Sequence, residues 1–341
     1  MLQGHTFHSF LNAEHRSGDI YTLSQFIGGM PAPMFLFLTG VTLAFLLDGR
    51  ERRGVDPMGR FASGLRRAGY LLLLAAGVRL QAYAFSWPWS RFEDIFKVDI
   101  LNCMGVSLAL MAFTAFFSTA ERIKISLLAG SAIALFAPIV SSLRWDSAPS
   151  ILTAYLVPNT EVFGIFPWAA YTAFGVAFGS MMRLAPRGGM NQFMQWTCLF
   201  AFGIILAAGY FSSIPYSIYK NSDFWINSPG LVFIKIGVIL LITCFAYLLL
   251  SHLPSRGYSF VTLLGTSSLL VYWVHLELVY GRWFWFWKGQ LSVTETAMLS
   301  VALILSMTAL AAIWRHRRAA FSWTAGRYRS TFRSTVPEIE S

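Results

Sequence analysis

GLVFIKIGVILLITCFAYLLL, residues 230–250, decides the fold class, because it is a continuous apolar run interrupted by a single charge, Lys235. About 20 such residues cross the hydrocarbon core of a bilayer as a helix. The run does not alternate apolar with polar, as a barrel strand would. In lipid only helices and closed barrels satisfy their backbone groups, so the run reads as a membrane-spanning helix. Working outward, the same reading applies to 26–48, 66–86, 98–117, 123–143, 162–182, 192–212, 258–281 and 294–314. These stretches use roughly 190 residues at that length per span. The expected fold is therefore all-α: a polytopic membrane bundle of about nine transmembrane helices over 1–315, followed by a basic tail, 316–341.

Composition agrees. Hydrophobic residues make up 56% of the 341 and charged residues 12%, whereas a soluble domain is about half apolar and about a quarter charged. That excludes a disordered chain, a coiled coil and an ordinary cytosolic enzyme. Cys103, Cys198 and Cys244 all fall within apolar stretches and read as small packing residues rather than a disulfide framework or a metal cluster. The net charge of +10 would suggest nucleic acid in a soluble protein. Here its distribution matters more. One set of alternate loops, with the tail, carries 17 Lys and Arg; the other set carries 7. Cytoplasmic loops hold the excess of positive charge, so the expected orientation is N-terminus outside and C-terminus inside. No nucleic-acid partner is expected; the bilayer is.

Ionisable groups inside a membrane are functional candidates. Arg79 lies in the outer half of the second span, Asp99 opens the third, Lys235 sits in the outer half of the seventh, and His275 and Glu277 lie near the outer end of the eighth. His5, His8 and His15 share the segment before the first span. The cytoplasmic halves carry almost nothing comparable. The breaker GGMPAP (28–33), Pro138, Pro158 and Pro167, and nine of the twelve Trp fall in the same outer layer. The pattern implies a polar, aromatic-lined cavity near the outer face, suited to a sugar ring or a lipid-linked acceptor. The spacing of His5 and His8 could serve a metal, but no Cys, Asp or Glu partner accompanies them, so no metal is expected. A neutral imidazole acting as general base is the better reading. His275 and Glu277 are two apart and do not face each other on a helix; Glu277 is expected to pair with Arg79 or Lys235. No nucleophile elbow, P-loop, GxGxxG or HExxH is present.

PAPMFLFLTGVTLAF (31–45), FEDIFKVDILNCMGVSLAL (92–110) and SLLVYWVHLELVYG (268–281), in that order, resemble the bacterial relatives of heparan-alpha-glucosaminide N-acetyltransferase, within the wider superfamily that includes the acyltransferase-3 enzymes. The resemblance implies transfer of an acetyl or longer acyl group from cytoplasmic acyl-CoA, used as donor substrate rather than bound cofactor, to a sugar hydroxyl or amine at the outer face. By position His5, or else His15, would carry the chemistry, with Tyr272 and His275 on a late helix. Asp99 would hold the base or an acceptor hydroxyl. Arg79 or Lys235 would stabilise the oxyanion, and Arg50, Arg52, Arg53, Arg183 and Arg187 would hold the CoA phosphates. Two departures stand out. The family's opening helix, with an Asp and an Arg-Gly pair, is expected upstream of His5 and does not precede it in this sequence. Asn102-Cys103-Met104 also lacks the Arg of the animal-type members. A transporter or flippase would need the same outer cavity but usually shows internal repeats and midplane charges, which this sequence lacks. A degenerate, non-catalytic membrane protein is the third reading.

Overall fold

The computed structural model describes residues 1–159, 162–186, 188–220, 222–252 and 260–333, with side chains up to residue 317. Every named element among them is helical. The helices are α1 (Leu2–Phe10), α2 (Asp19–Gly29), α3 (Pro31–Glu51), α4 (Pro57–Phe85), α5 (Ile100–Ala112), α6 (Thr119–Ser142), α7 (Ser150–Leu156), α8 (Ile165–Leu184), α9 (Met190–Ser213), α10 (Pro229–His252), α11 (Phe260–Thr266), α12 (Ser268–Tyr280) and α13 (Val293–Arg333). Local chemistry sets their starts. Pro57 follows the Asp56 N-cap, whose side chain accepts from Gly59 N. Ser118 and Glu121 form a reciprocal capping box on α6. Such caps satisfy backbone N–H groups that a helix start leaves unpaired.

Among the described residues seven helices, with α2 and α3 taken as one, Asp19–Glu51, are long and apolar enough to cross a membrane. Two of the nine expected spans differ from a simple crossing. The third is a shorter apolar helix, Ile100–Phe116, whose last turn tightens to 3-10 geometry. The eighth, expected as one helix over 258–281, is a pair, α11 and α12, bent by 78°. The break falls in the run Gly265-Thr266-Ser267, where Ser267 takes a ψ of 13°. Thr266 Oγ1 donates back to the carbonyls of Thr262 and Leu263, at 2.8 and 3.2 Å. Hydroxyls that bond back to the preceding turn compete with the helical ladder and bend it.

The chain divides into two compact units. One comprises Met1–Gly28 with the C-terminal helices; the other comprises Gly29–Ser255. In the second, α8 is the central helix, with most of its apolar window buried, and it packs against α3 and α6. The α3–α8 crossing is backbone to backbone. A methyl group on Gly175 would overlap the Phe37 carbonyl, and one on Gly40 would overlap the Thr172 carbonyl. Small residues permit this close approach where lipid supplies no hydrophobic drive between helices. Leu43, Leu47, Leu108 and Val176 fill the core beside it. In the first unit α1 packs on α12 and α13. Phe10, Val279 and Leu303 form one apolar cluster there, and Leu263, Val271, Met307 and Ala311 another. The end of α1 is tied to the segment before α13: Asn12 N donates to Leu291 O at 2.8 Å, and Leu291 N to Phe10 O at 3.0 Å.

Candidate functional site

In the first unit His5 on α1 meets His275 on α12. His5 Nδ1 lies 3.1 Å from His275 Nε2, and the rings stack with centroids 5.2 Å apart. His275 is completely buried. Its Nδ1 lies 2.7 Å from the carbonyl of Val271, one turn back on the same helix. A carbonyl only accepts, so His275 Nδ1 carries a proton. In the neutral ring the Nε2 is then a lone pair, and it accepts from His5 Nδ1–H. That assignment leaves His5 Nε2 as the basic nitrogen. The backbone of α12 thus fixes the tautomers of both rings. Tyr280 stands edge-on to His5 at 5.3 Å, and Tyr272 edge-on to His275 at 5.9 Å. His8 packs at 6.4 Å on the same Tyr280 ring. His15 is exposed, in a single 3-10 turn, outside this hydrogen-bonded pair. Glu277 accepts from Trp283 Nε1 at 3.2 Å.

In the second unit Arg79 Nε lies 3.3 Å from Asp99 Oδ2. Asp99 is also the N-cap of α5: its Oδ1 accepts from Leu101 N and Asn102 N, at 2.9 and 3.0 Å. Asn102 Nδ2 donates onward to the Tyr155 hydroxyl at 3.2 Å. Both oxygens of Asp99 are therefore engaged, which suits an anchor for Arg79 better than a general base. Lys235 places its ammonium 5.6 Å from the centre of the Trp168 ring, a cation–π contact.

The other polar centre of the second unit lies at the end of α3, on the side the charge count assigns to the cytoplasm. The sequence reading places only arginines there; the structure adds the acids that pair with them. Asp48, nearly buried, accepts from Arg183 Nε at 2.6 Å and Nη2 at 2.5 Å, and from Arg52 Nε at 2.9 Å. Glu51 Oε2 meets Arg60 Nη1 at 2.7 Å and Arg122 Nη2 at 3.3 Å. Arg122 is fully buried and also donates to the carbonyls of Thr114 and Phe117. Of the expected phosphate-binding arginines, Arg52 and Arg183 are thus ion-paired, and Arg53 Nε donates to Gly49 O at 3.0 Å. Arg50 has a buried Nε with no hydrogen-bond partner among the described residues. Arg187 lies outside the described residues. Asp48 and Glu51 were readable as two acids at the end of an apolar span. They were missed because the count of charges weighed only Lys and Arg. Among the described residues no group of three or more His, Cys, Asp or Glu is placed to hold a metal. Cys103, Cys198 and Cys244 are free thiols.

Comparison with known proteins gives one match: the family model described as heparan-alpha-glucosaminide N-acetyltransferase, catalytic, covers residues 1–219. No curated protein and no solved structure matches the chain. The matched segment includes His5, Arg79, Asp99 and the Asp48 centre, and stops short of Lys235 and His275. With more than half of its length matched, this all-helical membrane chain belongs to the heparan-alpha-glucosaminide N-acetyltransferase catalytic-domain family.

Proposed function

We propose that the protein is a membrane acyltransferase that moves an acetyl or other acyl group from cytoplasmic acyl-CoA to a sugar or other envelope acceptor at the outer face of the bacterial inner membrane. The observation that carries the reading is the His5–His275 pair hung on the Val271 carbonyl, in a chain of this acetyltransferase family. His5 Nε2 would take the proton of an acceptor hydroxyl or amine as it attacks the thioester carbon, and would return that proton to the departing CoA sulfur. His275 would hold the His5 ring in the tautomer that leaves Nε2 bare, and would share the charge that develops on it.

For the donor, Arg50 and the exposed Arg53 are the proposed contacts to the CoA phosphates at the inner face, with Arg187 assigned the same role from its place in the sequence. Arg52 and Arg183 would reach a phosphate only by exchanging Asp48 for it. Arg79, positioned by Asp99, and Lys235, set over Trp168, are the proposed polar contacts of the second unit for a ligand on the outer side. The bend between α11 and α12 supports a second reading, transport of a lipid-linked or small anionic substrate, since broken helices mark many transporter sites. The two separate in one assay. Purified protein in detergent is given acetyl-CoA with a mixture of envelope sugars and lipids, and thiol release is followed for wild type, His5→Ala and His15→Ala. Release that depends on His5 supports acyl transfer. Absence of release, with uptake of a labelled solute into vesicles, sinks it in favour of transport.

A further inference from the structure

Gln25 carries a buried side-chain donor that meets no acceptor among the described residues. It lies on α2, within the first unit. Its Nε2 is buried and has no hydrogen-bond partner among the described residues. A buried, unsatisfied amide is costly, and in a native fold it calls for an explanation. Its place on the helix supplies one. Residues 21, 25 and 28 follow the spacing i, i+4, i+7 and form one stripe of α2. At one end of the stripe Gly28 packs directly on the backbone of Gly4, the neighbour of His5. Beside the stripe, Gln3 of α1 donates to Ser24 of α2 at 2.5 Å. Gln25 therefore lies on a helix whose neighbouring residues, Ser24 and Gly28, pack on α1, the helix that carries His5.

The two cations expected to stabilise an oxyanion have other occupations: Arg79 is bound by Asp99, and Lys235 faces Trp168. We infer that the Gln25 side-chain amide is the donor that receives the carbonyl oxygen of the acyl group. The inference rests on the acyl-transfer reading given above. In the step it serves, the acceptor oxygen or nitrogen bonds to the thioester carbon while its proton passes to His5 Nε2. The carbonyl π electrons move onto oxygen, where Gln25 Nε2–H meets the growing charge. The tetrahedral intermediate then collapses, the carbon–sulfur bond breaks, and the CoA sulfur takes the proton from His5. A neutral amide fits this role in a membrane protein, because it bears no charge to desolvate in the resting enzyme and acts only when the oxyanion forms.

The test is kinetic, in detergent-purified full-length protein with acetyl-CoA and the acceptor mixture. Gln25→Met keeps the length and removes the donor. Its kcat should fall about 100-fold, the usual effect of losing one oxyanion donor, with KM for acetyl-CoA within threefold of wild type. Gln25→Glu should be worse than Gln25→Met at pH 8, since an anion would face the oxyanion. Its activity relative to Gln25→Met should climb as pH falls and the carboxyl becomes a donor again, while its melting profile stays unchanged over the same range; recovery that tracks the melting profile would mean a structural role. If Gln25→Met does not fold, as judged by size-exclusion and melting profiles, Gln25→Asn carries the test: it should lose kcat and keep KM. A Met or Asn variant with wild-type kcat, or a Glu variant that outperforms Met at pH 8, overturns the assignment. Wild-type protein without His5-dependent thiol release would instead bring down the acyl-transfer reading, and the assignment with it.

Discussion

At the His5–His275 pair two rings share one chain of hydrogen bonds that ends on a backbone carbonyl. At the end of α3, by contrast, two carboxylates hold four guanidinium groups. The first centre is joined by neutral dipoles alone. The second cannot lose a partner without stranding a charge. In a medium of low dielectric the difference separates roles. On the acyl-transfer reading proposed above, the group that would take up a proton during turnover is held by neutral dipoles. Groups that fasten helices together are held by opposite charge: Asp48 and Glu51 bind the ends of α3, α4, α6 and α8 within one unit.

If the contrast is right, damage at the two centres shows up in different measurements. His5→Ala should lower kcat about 1,000-fold, within the range for a general base, and leave the melting temperature in detergent near that of wild type; a tenfold loss or less would place the base elsewhere. Asp48→Asn should do the reverse. It strands Arg183 and Arg52 and should cost about 2 kcal/mol, less than a fully enclosed pair because Arg52 is 60% exposed. Denaturant titration in mixed micelles would read this, and an unchanged midpoint would remove the fastening role. His275→Ala should cost about 30-fold in kcat through loss of tautomer control. His275→Asn should recover part of it, because its amide can still accept from His5 Nδ1; equal loss in both variants would mean that His275 only fills space. His15→Ala, exposed and outside the pair, should alter neither measurement by more than about twofold, in line with surface substitutions generally; a large loss would revive His15 as the base.

The polar inventory of the site was legible in part. His5 and His275 were both candidates, each on its own position in the chain, but their pairing was not, because 270 residues separate them and no local period connects them. The indole of Trp283 that donates to Glu277 was likewise not legible, because the helix ends between them. Gln25 gave no signal at all, since an amide becomes informative only when its neighbours leave it unsatisfied. The Asp48 centre had a signal that went unweighed, two acids where a span should end.

By itself the sequence determined that the chain is helical and lipid-embedded, where its apolar runs lie and how basic residues divide among the loops. Those follow from transfer of about 20 residues at a time from water into hydrocarbon, a property of each segment alone. Only the tertiary structure decided that the eighth run bends at Ser267, that Gly40 and Gly175 bring α3 against α8, and which histidine nitrogen is left bare. A hydrogen bond is set within a few tenths of an ångström by packing between segments far apart in the chain, and that distance is not encoded in any one of them.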